Sequence, residues 1–139
     1  MSISTLDLLN QPGILIAVVG ASDNPEKYGH AIYRDLKRKG YRVLPVNPNR
    51  KTVDGDLAYP NLQALPESPD MVNLVVPPEV SMKLAIECLR HGILNLWLQP
   101  GSESPEVLDF LQDNGLNYLA GACIMVKTRK AKVAWQMSP

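Results

Sequence analysis

The chain has no excess of charge of either sign, because 14 lysine and arginine side chains are matched by 14 aspartates and glutamates. Without a basic field it has no general attraction for nucleic acid, which argues against a dedicated DNA- or RNA-binding protein. It also has no run of about 20 apolar residues, the length that a membrane span needs, and no basic segment followed by an apolar run at its start. We therefore expect a cytoplasmic protein that binds neither nucleic acid nor membrane.

Cysteine and histidine are scarce, with two of each. Cys88 and Cys123 form no CxxC motif, and the four residues show no spacing typical of a metal site. We expect free thiols and no bound metal. Because no acid/base pair or activated nucleophile stands out either, the sequence predicts no catalytic residues and no enzyme activity of the chain's own.

The residues that are present suit one folded domain, since 45% of the 139 are apolar and 20% are charged. Five apolar runs predict buried strands, at 14–19, 41–46, 71–76, 93–98 and 117–120. Helical periodicity and capping residues predict helices at 28–39, 80–91 and 104–115, after a short leading helix at 6–9. The segment 50–69 is predicted to be a connection with at most one helical turn.

Strands that alternate with helices at this spacing imply right-handed crossovers and a parallel sheet covered on both faces. The sequence therefore predicts an α/β fold, a Rossmann-like, doubly wound parallel five-stranded sheet in a single domain over residues 1–139. Residues 1–12 are expected to form a leading helix or arm, and 127–139 a polar tail. We expect the strand order 3-2-1-4-5, which places the reversal of strand order, and any ligand, between the carboxyl ends of the first and fourth strands.

The loop after the first strand has features of a phosphate site. Gly20 follows the strand directly, and the N–H groups at the start of the next helix favour an anion. Ser22 adds a hydroxyl and Lys27 a positive charge, so backbone donors and one cation are predicted to hold a pyrophosphate. The loop is neither a GxGxxG motif nor a P-loop, and tight packing alone is an alternative explanation of Gly20 and Gly29.

The second strand ends in residues that do not suit NAD. Domains that bind NAD place an acidic residue there to accept the ribose hydroxyls, whereas this chain has Val46-Asn47-Pro48-Asn49-Arg50-Lys51. Arg50 and Lys51 would suit a ribose phosphate, which both NADP and coenzyme A carry. An ordinary solvated pair of surface cations is the alternative.

Six short motifs together resemble a known family. In chain order they are Val19-Gly20-Ala21-Ser22, Lys27-Tyr28-Gly29, Pro45-Val46-Asn47-Pro48, Val75-Val76-Pro77-Pro78, Trp97-Leu98-Gln99-Pro100-Gly101 and Gly121-Ala122-Cys123-Ile124-Met125-Val126. On these motifs the chain resembles the small stand-alone CoA-binding proteins, over residues 14–126. That family is in turn similar to the nucleotide-binding amino-terminal domain of the succinyl-CoA synthetase alpha subunit.

The resemblance implies a Rossmann-like fold whose strand-end loops bind coenzyme A as the cofactor. The residues that it places along the pyrophosphate are Gly20, Ala21, Ser22, Lys27, Tyr28 and Gly29. Those that it places around the adenosine are Val46, Asn47 and Pro48, with Arg50 or Lys51 near the 3′-phosphate and Val76 and Pro77 as the opposing wall. It also implies that ligase chemistry is absent, because the larger synthetase subunit carries its phosphorylated histidine in a later domain and this chain ends before an equivalent.

The leading functional hypothesis is non-catalytic binding of coenzyme A or an acyl-CoA, through its pyrophosphate and adenosine 3′-phosphate, at the carboxyl edge of the sheet. The alternative is a component of an enzyme that uses NADP or acyl-CoA together with a partner chain. A third hypothesis makes Cys123 a redox sensor that forms a mixed disulfide with coenzyme A, although its small apolar neighbours favour an inert thiol. A protein partner or a homodimer stays open.

Overall fold

A computed structural model describes residues 4–131 of the chain, and its main feature is a sheet of five parallel strands. The strands are β1 (Leu15–Val19), β2 (Arg42–Val46), β5 (Met71–Leu74), β6 (Asn95–Leu98) and β7 (Asn117–Ala120). A hairpin of two short antiparallel strands, β3 (Thr52–Val53) and β4 (Asp56–Leu57), follows β2. The five predicted strands are therefore confirmed, each within two residues of its predicted bounds.

Helices cover both faces of this sheet, as the predicted doubly wound architecture requires. They are α1 (Thr5–Leu8), α2 (Tyr28–Arg38), α3 (Pro78–Arg90), α4 (Pro105–Asp113) and α5 (Ile124–Lys127). Alternate residues of β1 point to opposite faces, so that Ile16 and Val18 pack with α2 and α5, whereas Ala17 and Val19 pack with α3 and α4. The result is an α/β, Rossmann-like domain with a core on each side of one sheet.

The expected strand order was wrong. The observed order is β2-β1-β5-β6-β7, which is 2-1-3-4-5 in terms of the five predicted strands. Pro45 explains why β2 lies at the edge, because a residue without an N–H suits an edge strand and not the interior position that the expected order gave it. Conversely, all four residues of β5 are buried, which suits an interior strand.

The corrected order moves the point where the strand order reverses. From β1 the chain crosses over α2 to β2 on one side, whereas from β5 it crosses over α3 to β6 on the other side. The two crossovers therefore diverge between β1 and β5, and not between the first and fourth predicted strands. A crevice is expected at the carboxyl ends of these two strands.

The connection after β2 is more ordered than the sequence predicted. It contains the one expected helical turn, a 3-10 turn at Leu62–Ala64, and also the β3–β4 hairpin. Asp54 and Gly55 form the tip of this hairpin with φ angles of 51° and 80°, which are the positive values that a two-residue hairpin turn requires. The Asp-Gly pair was the signal in the sequence for this turn.

The structure continues beyond the last strand into part of the predicted polar tail. Helix α5 ends at Lys127, and Thr128 and Ala131 are buried, with the Ala131 N–H donating to the carbonyl of Lys39 at 2.8 Å. Residues 1–3 and 132–139, which include the rest of the predicted arm and tail, lie outside the described residues. Between residues 4 and 131, no helix combines the length and the apolar character that a bilayer span requires.

Candidate functional site

A cleft of about 550 Å³ opens where the carboxyl ends of β1, β5 and β6 meet. It lies at the reversal of strand order, the usual ligand position in doubly wound sheets. The lining residues come from the loops that follow these strands and β7: Gly20, Lys27, Tyr28, Gly29, Val75, Val76, Pro77, Pro78, Gln99, Pro100, Gly101, Ser102 and Cys123.

Two glycines bring the start of α2 against the end of β1. A Cβ on Gly29 would overlap the carbonyl oxygen of Gly20, and a Cβ on Gly20 would overlap the carbonyl oxygen of Val75. Gly20 also has a φ of 98°, which side-chain-bearing residues rarely adopt. Packing alone therefore explains both glycines, and the same packing exposes the first turn of α2 to the cleft.

Three helices begin in the cleft, and none is capped by the side chain of its own N-cap residue. The N-cap residues are Lys27 for α2, Pro77 for α3 and Cys123 for the short α5, whose first N–H instead donates to the Gln99 side chain. By contrast, α4 starts outside the lining and is capped by Ser104, whose hydroxyl accepts from the Val107 N–H at 3.2 Å. Backbone N–H groups without a capping side chain, together with the helix dipole, favour an anion in the cleft.

The side chains of the cleft are compatible with such an anion. Lys27 is the one charged side chain among the described residues that line it, and it is exposed to solvent. Most of the other lining side chains are apolar, and none of those described is a carboxylate. A polyanion with an extended, largely uncharged arm would match this distribution.

The structure brings together part of the predicted binding set. Six of the predicted residues line the cleft: Gly20, Lys27, Tyr28, Gly29, Val76 and Pro77. Ala21 and Val46 are buried and lie outside the lining. Pro48, Arg50 and Lys51 are exposed and lie outside the lining. The predicted contacts of Arg50 and Lys51 with a 3′-phosphate stay a prediction.

Ser22 organises the loop after β1 from the inside. Its side chain is only 6% exposed, and its hydroxyl accepts from the Asn24 N–H at 3.0 Å. The Asn24 side chain in turn accepts from the Glu26 N–H at 3.0 Å. These two successive turns lead the chain to Lys27. Ser22 therefore stabilises the conformation of the loop.

His30 joins the same loop to α2. Its Nδ1 lies 3.2 Å from the carbonyl oxygen of Ser22, and its Nε2 lies 3.4 Å from Nη1 of Arg34. Because arginine can only donate, the contact with Arg34 requires Nε2 to accept, and Nδ1 is then the donor to Ser22. The histidine therefore ties the loop after β1 to α2.

Asn47 links the loop after β2 to the loop after β1. Its Nδ2 donates to the carbonyl of Ala21 at 2.9 Å, and its Oδ1 accepts from the Asn49 N–H at 2.8 Å. A second link runs from the Asp54 N–H to Oδ1 of Asp23 at 2.7 Å. Asn47 thus acts as a brace between the two predicted ligand loops.

Charged side chains hold the β3–β4 hairpin against α2. The Tyr33 hydroxyl donates to Asp56 at 2.6 Å, and Lys37 bridges Asp54 and Asp56 at 3.1 and 2.9 Å. The hydrogen bond from Tyr33 holds the pKa of Asp56 below its usual range, whereas burial, with help from Asp56, raises the pKa of Tyr33. The same carboxylates raise the pKa of Lys37. The hairpin that follows Arg50 and Lys51 is therefore fixed in place.

In the other half of the cleft, the sequence suggested a contact with the ligand only for Cys123, as a mixed disulfide. Seven further residues line it: Val75, Pro78, Gln99, Pro100, Gly101, Ser102 and Cys123. Ser102 accepts from the Val76 N–H at 3.1 Å, which joins the loop after β6 to the loop after β5. The signal for this half was present in the Gln99-Pro100-Gly101 motif, and the expected strand order already placed the end of β6 beside the ligand, but no residue of that motif was assigned a contact.

The two cysteines lie in different environments. Cys88 is fully buried in α3, and burial raises the pKa of its thiol to about 12. Cys123 is partly exposed in the cleft, and both thiols are free as expected. Only Cys123 therefore lies where a bound molecule would contact it.

Comparison with known proteins places this architecture in a family. The profile of the CoA binding domain matches residues 15–129. The alpha subunit of the ADP-forming acetate–CoA ligase II of Pyrococcus furiosus is 26% identical over 129 residues, which cover 85% of this chain and 28% of that subunit. The uncharacterized protein YneT of Bacillus subtilis is 31% identical over 111 residues, covering 80% of this chain and 82% of YneT.

A solved structure agrees with this assignment. A conserved hypothetical protein from Pyrococcus furiosus superposes with a TM-score of 0.80 at 47% identity, covering 83% of this chain and 99% of that one. The present chain spans little more than a quarter of the ligase subunit, but nearly the whole of this small protein. With the profile matched over most of its length, the chain belongs to the CoA binding domain family.

Proposed function

We propose that this chain binds coenzyme A or an acyl-CoA without carrying out chemistry on it. The diphosphate lies at the start of α2, against Gly20, Gly29 and Lys27. The adenosine lies toward the loop after β2, with Arg50 or Lys51 near its 3′-phosphate and Val76 and Pro77 as the opposing wall. The pantetheine arm extends from the diphosphate along the rest of the cleft. Membership of the CoA binding domain family supports the ligand class.

The observation that carries the proposal is the uncapped amino terminus of α2, which opens into the cleft beside its one described cationic side chain. An uncapped helix start leaves backbone donors that a phosphate satisfies without any other partner. Lys27 supplies a charge-assisted bond in the same place. A neutral ligand would leave both unused.

The absence of chemistry is proposed from the lining of the cleft. The described lining residues include no carboxylate and no histidine, so no acid/base pair faces a bound ligand. Cys123 is the one thiol among the described lining residues, and its described contact is with the Gln99 amide and not with a basic side chain. A mixed disulfide with coenzyme A stays a subsidiary hypothesis for this thiol.

Calorimetry with the purified protein tests the proposal. Coenzyme A should bind saturably at one site, and dephospho-CoA about tenfold more weakly if a cation contacts the 3′-phosphate. Simultaneous replacement of Arg50 and Lys51 by alanine should remove that preference. No binding at millimolar coenzyme A would contradict the proposal, and equal affinities of the wild type for the two ligands would remove only the 3′-phosphate contact.

A second candidate is a component of an enzyme that works with a partner chain. The similarity to a subunit of an acetate–CoA ligase favours it, and the basic pair Arg50 and Lys51 also admits NADP. The purified chain incubated with acetyl-CoA, ADP and phosphate should form no ATP, and NADPH should not displace coenzyme A. ATP formation, or tighter binding of NADPH than of coenzyme A, would favour the enzyme component.

A further inference from the structure

The side chains of Trp97 in β6 and of Gln99, which directly follows this strand, hold three consecutive residues of the loop after β7. The Trp97 Nε1–H donates to the carbonyl of Ala122 at 2.9 Å. Gln99 uses both ends of its amide, because Oε1 accepts from the Ile124 N–H at 2.8 Å and Nε2 donates to Sγ of Cys123 at 3.3 Å. The Gln99 N–H still donates to the carbonyl of Leu74 at 3.0 Å, as a next residue of β6 would, so the side chains of Trp97 and Gln99 point to the same face of the sheet.

These contacts are shielded from solvent. Trp97 is fully buried, Gln99 is 5% exposed, and Ile124 is fully buried. Hydrogen bonds in such surroundings meet little competition from water, and a buried N–H that loses its acceptor is costly. Gln99 therefore fixes the position of residues 123 and 124 instead of merely contacting them.

The same residues form the end of the cleft that lies away from α2. Gln99 and Cys123 both line it, on strands and loops beyond β5. With a spacing of about 4.8 Å between neighbouring strands, the end of β6 lies about 10 Å from the end of β1. When the diphosphate of a ligand lies against the Gly20 loop, the diphosphate itself is too far away to contact Gln99 and Cys123. Only a group attached to the diphosphate can reach them.

We propose that Gln99 is a positioning residue for the pantetheine arm of the ligand: it holds the loop around Cys123 and Ile124 as the far wall of the cleft. The proposal rests on the proposed function. It divides the cleft into a half that recognises the diphosphate through α2 and a half that recognises the uncharged arm through a wall set by β6. The two halves are therefore separable by the choice of ligand.

The first test compares two ligands that differ only in the arm. Coenzyme A and 3′-phospho-ADP share the adenosine, the 3′-phosphate and the diphosphate, but only coenzyme A carries pantetheine. Gln99→Ala should bind coenzyme A about tenfold more weakly than the wild type and should bind 3′-phospho-ADP equally well. The matched control, Gln112→Ala on the exposed face of α4, should change neither affinity. An equal loss for both ligands, or no loss for coenzyme A, would overturn the proposal.

The second test needs no ligand. Hydrogen exchange of the Ile124 amide should be about tenfold faster in Gln99→Ala, because its acceptor is gone. Gln99→Glu keeps an oxygen acceptor for Ile124 and should restore slow exchange. Unchanged exchange in Gln99→Ala would contradict the clamp, and so would fast exchange in Gln99→Glu.

The two proposals fail in different ways. If the wild type binds neither coenzyme A nor 3′-phospho-ADP, the proposed function is wrong. The exchange experiment then still decides whether Gln99 holds the loop. If the wild type binds both ligands with the same affinity, the arm makes no contact and the assignment of Gln99 to the pantetheine fails alone.

Discussion

The two loops predicted to hold the ligand are built differently. The loop after β1 relies first on backbone packing: two glycines permit close approach, and only local turns shaped by Ser22 and Asn24 lead into the uncapped helix. The loop after β2 relies on side chains, with Asn47 bound to Ala21 and the following hairpin bound to α2 through Lys37. The first loop has little freedom to vary, whereas the second is positioned by contacts that single substitutions can remove one at a time.

Gly29→Ala should have the largest effect, because it strikes the backbone packing of the first loop. The new Cβ would overlap the carbonyl oxygen of Gly20, which cannot move aside like a flexible side chain. We expect a loss of about 3 kcal/mol in the free energy of unfolding and no measurable binding of coenzyme A. Chemical denaturation and calorimetry check this.

A matched control separates overlap from backbone strain. Gly92 has a φ of 71° but open space around its Cα, so Gly92→Ala should cost only about 1 kcal/mol and leave binding intact. If Gly29→Ala were no worse than Gly92→Ala, the tight packing of α2 on β1 would not be the basis of the first loop.

Lys27→Ala should come next. Lys27 is the one described cation of the cleft, and its removal should weaken coenzyme A binding about tenfold at low salt. This loss is small for a charge-assisted bond, because Lys27 is exposed to solvent. The loss should shrink as salt is added. Lys83→Ala, an exposed lysine of α3 outside the lining, is the control. An equal effect of the two variants would mean that only the overall charge matters.

Asn47→Ala tests the brace between the two loops. It removes the contacts with Ala21 and Asn49, so we expect a loss of about 1 to 2 kcal/mol in stability and about fivefold in affinity for coenzyme A. Asn61→Ala removes one comparable contact, with the Ala64 N–H, away from the cleft. It should lower stability alone. If both variants left the affinity unchanged, the loops would be positioned independently.

Tyr33→Phe should have the smallest effect on binding and a distinct effect on the pH dependence of stability. The lowered pKa of Asp56 contributes stability above its unfolded pKa of about 3.9, and that contribution is lost as the pH falls through the lower folded value. The raised pKa of Tyr33 contributes stability that is complete below about pH 10 and is lost above it.

The wild type should therefore exceed Tyr33→Phe in stability between about pH 5 and pH 10, with the difference narrowing toward either extreme. Thermal unfolding of the two proteins across this range measures it. A difference that stays constant from pH 3 to pH 11 would show that packing, and not the bond to Asp56, accounts for the role of Tyr33.

Much of the fold followed from local patterns. Runs of buried apolar residues predicted all five parallel strands, and Ser104 and Pro105 marked the start of α4. The strand order could not be predicted in this way, because an apolar run indicates a buried strand but does not show which other strands it pairs with. Pro45 did carry such information, since it placed its strand at the edge. The hairpin turn at Asp54-Gly55 was not predicted either, because strands of two residues are too short to show an alternation of apolar and polar residues.

The residues of the site also fall into two groups, those that could be predicted from local sequence and those that only the fold brings together. Gly20, Lys27 and Gly29 were predictable because a strand, a glycine and a helix start are adjacent in the sequence. Gln99 and Cys123 reach the same cleft from the far side of the sheet. The neighbouring positions of β6 and β7 were expected, but the insertion of β5 between β1 and β6 was not, and only the folded chain reveals it.

Because the two thiols differ in exposure, a fluorescent dye can be attached selectively to one of them. Cys88 is shielded, with a pKa raised to about 12, so a maleimide dye at neutral pH should react at Cys123 alone. A fluorophore attached there would share the cleft with whatever enters it. The protein without any substitution, labelled at Cys123, would then report ligand binding in the cleft by a change in fluorescence. Collections of small molecules could be screened directly with this signal.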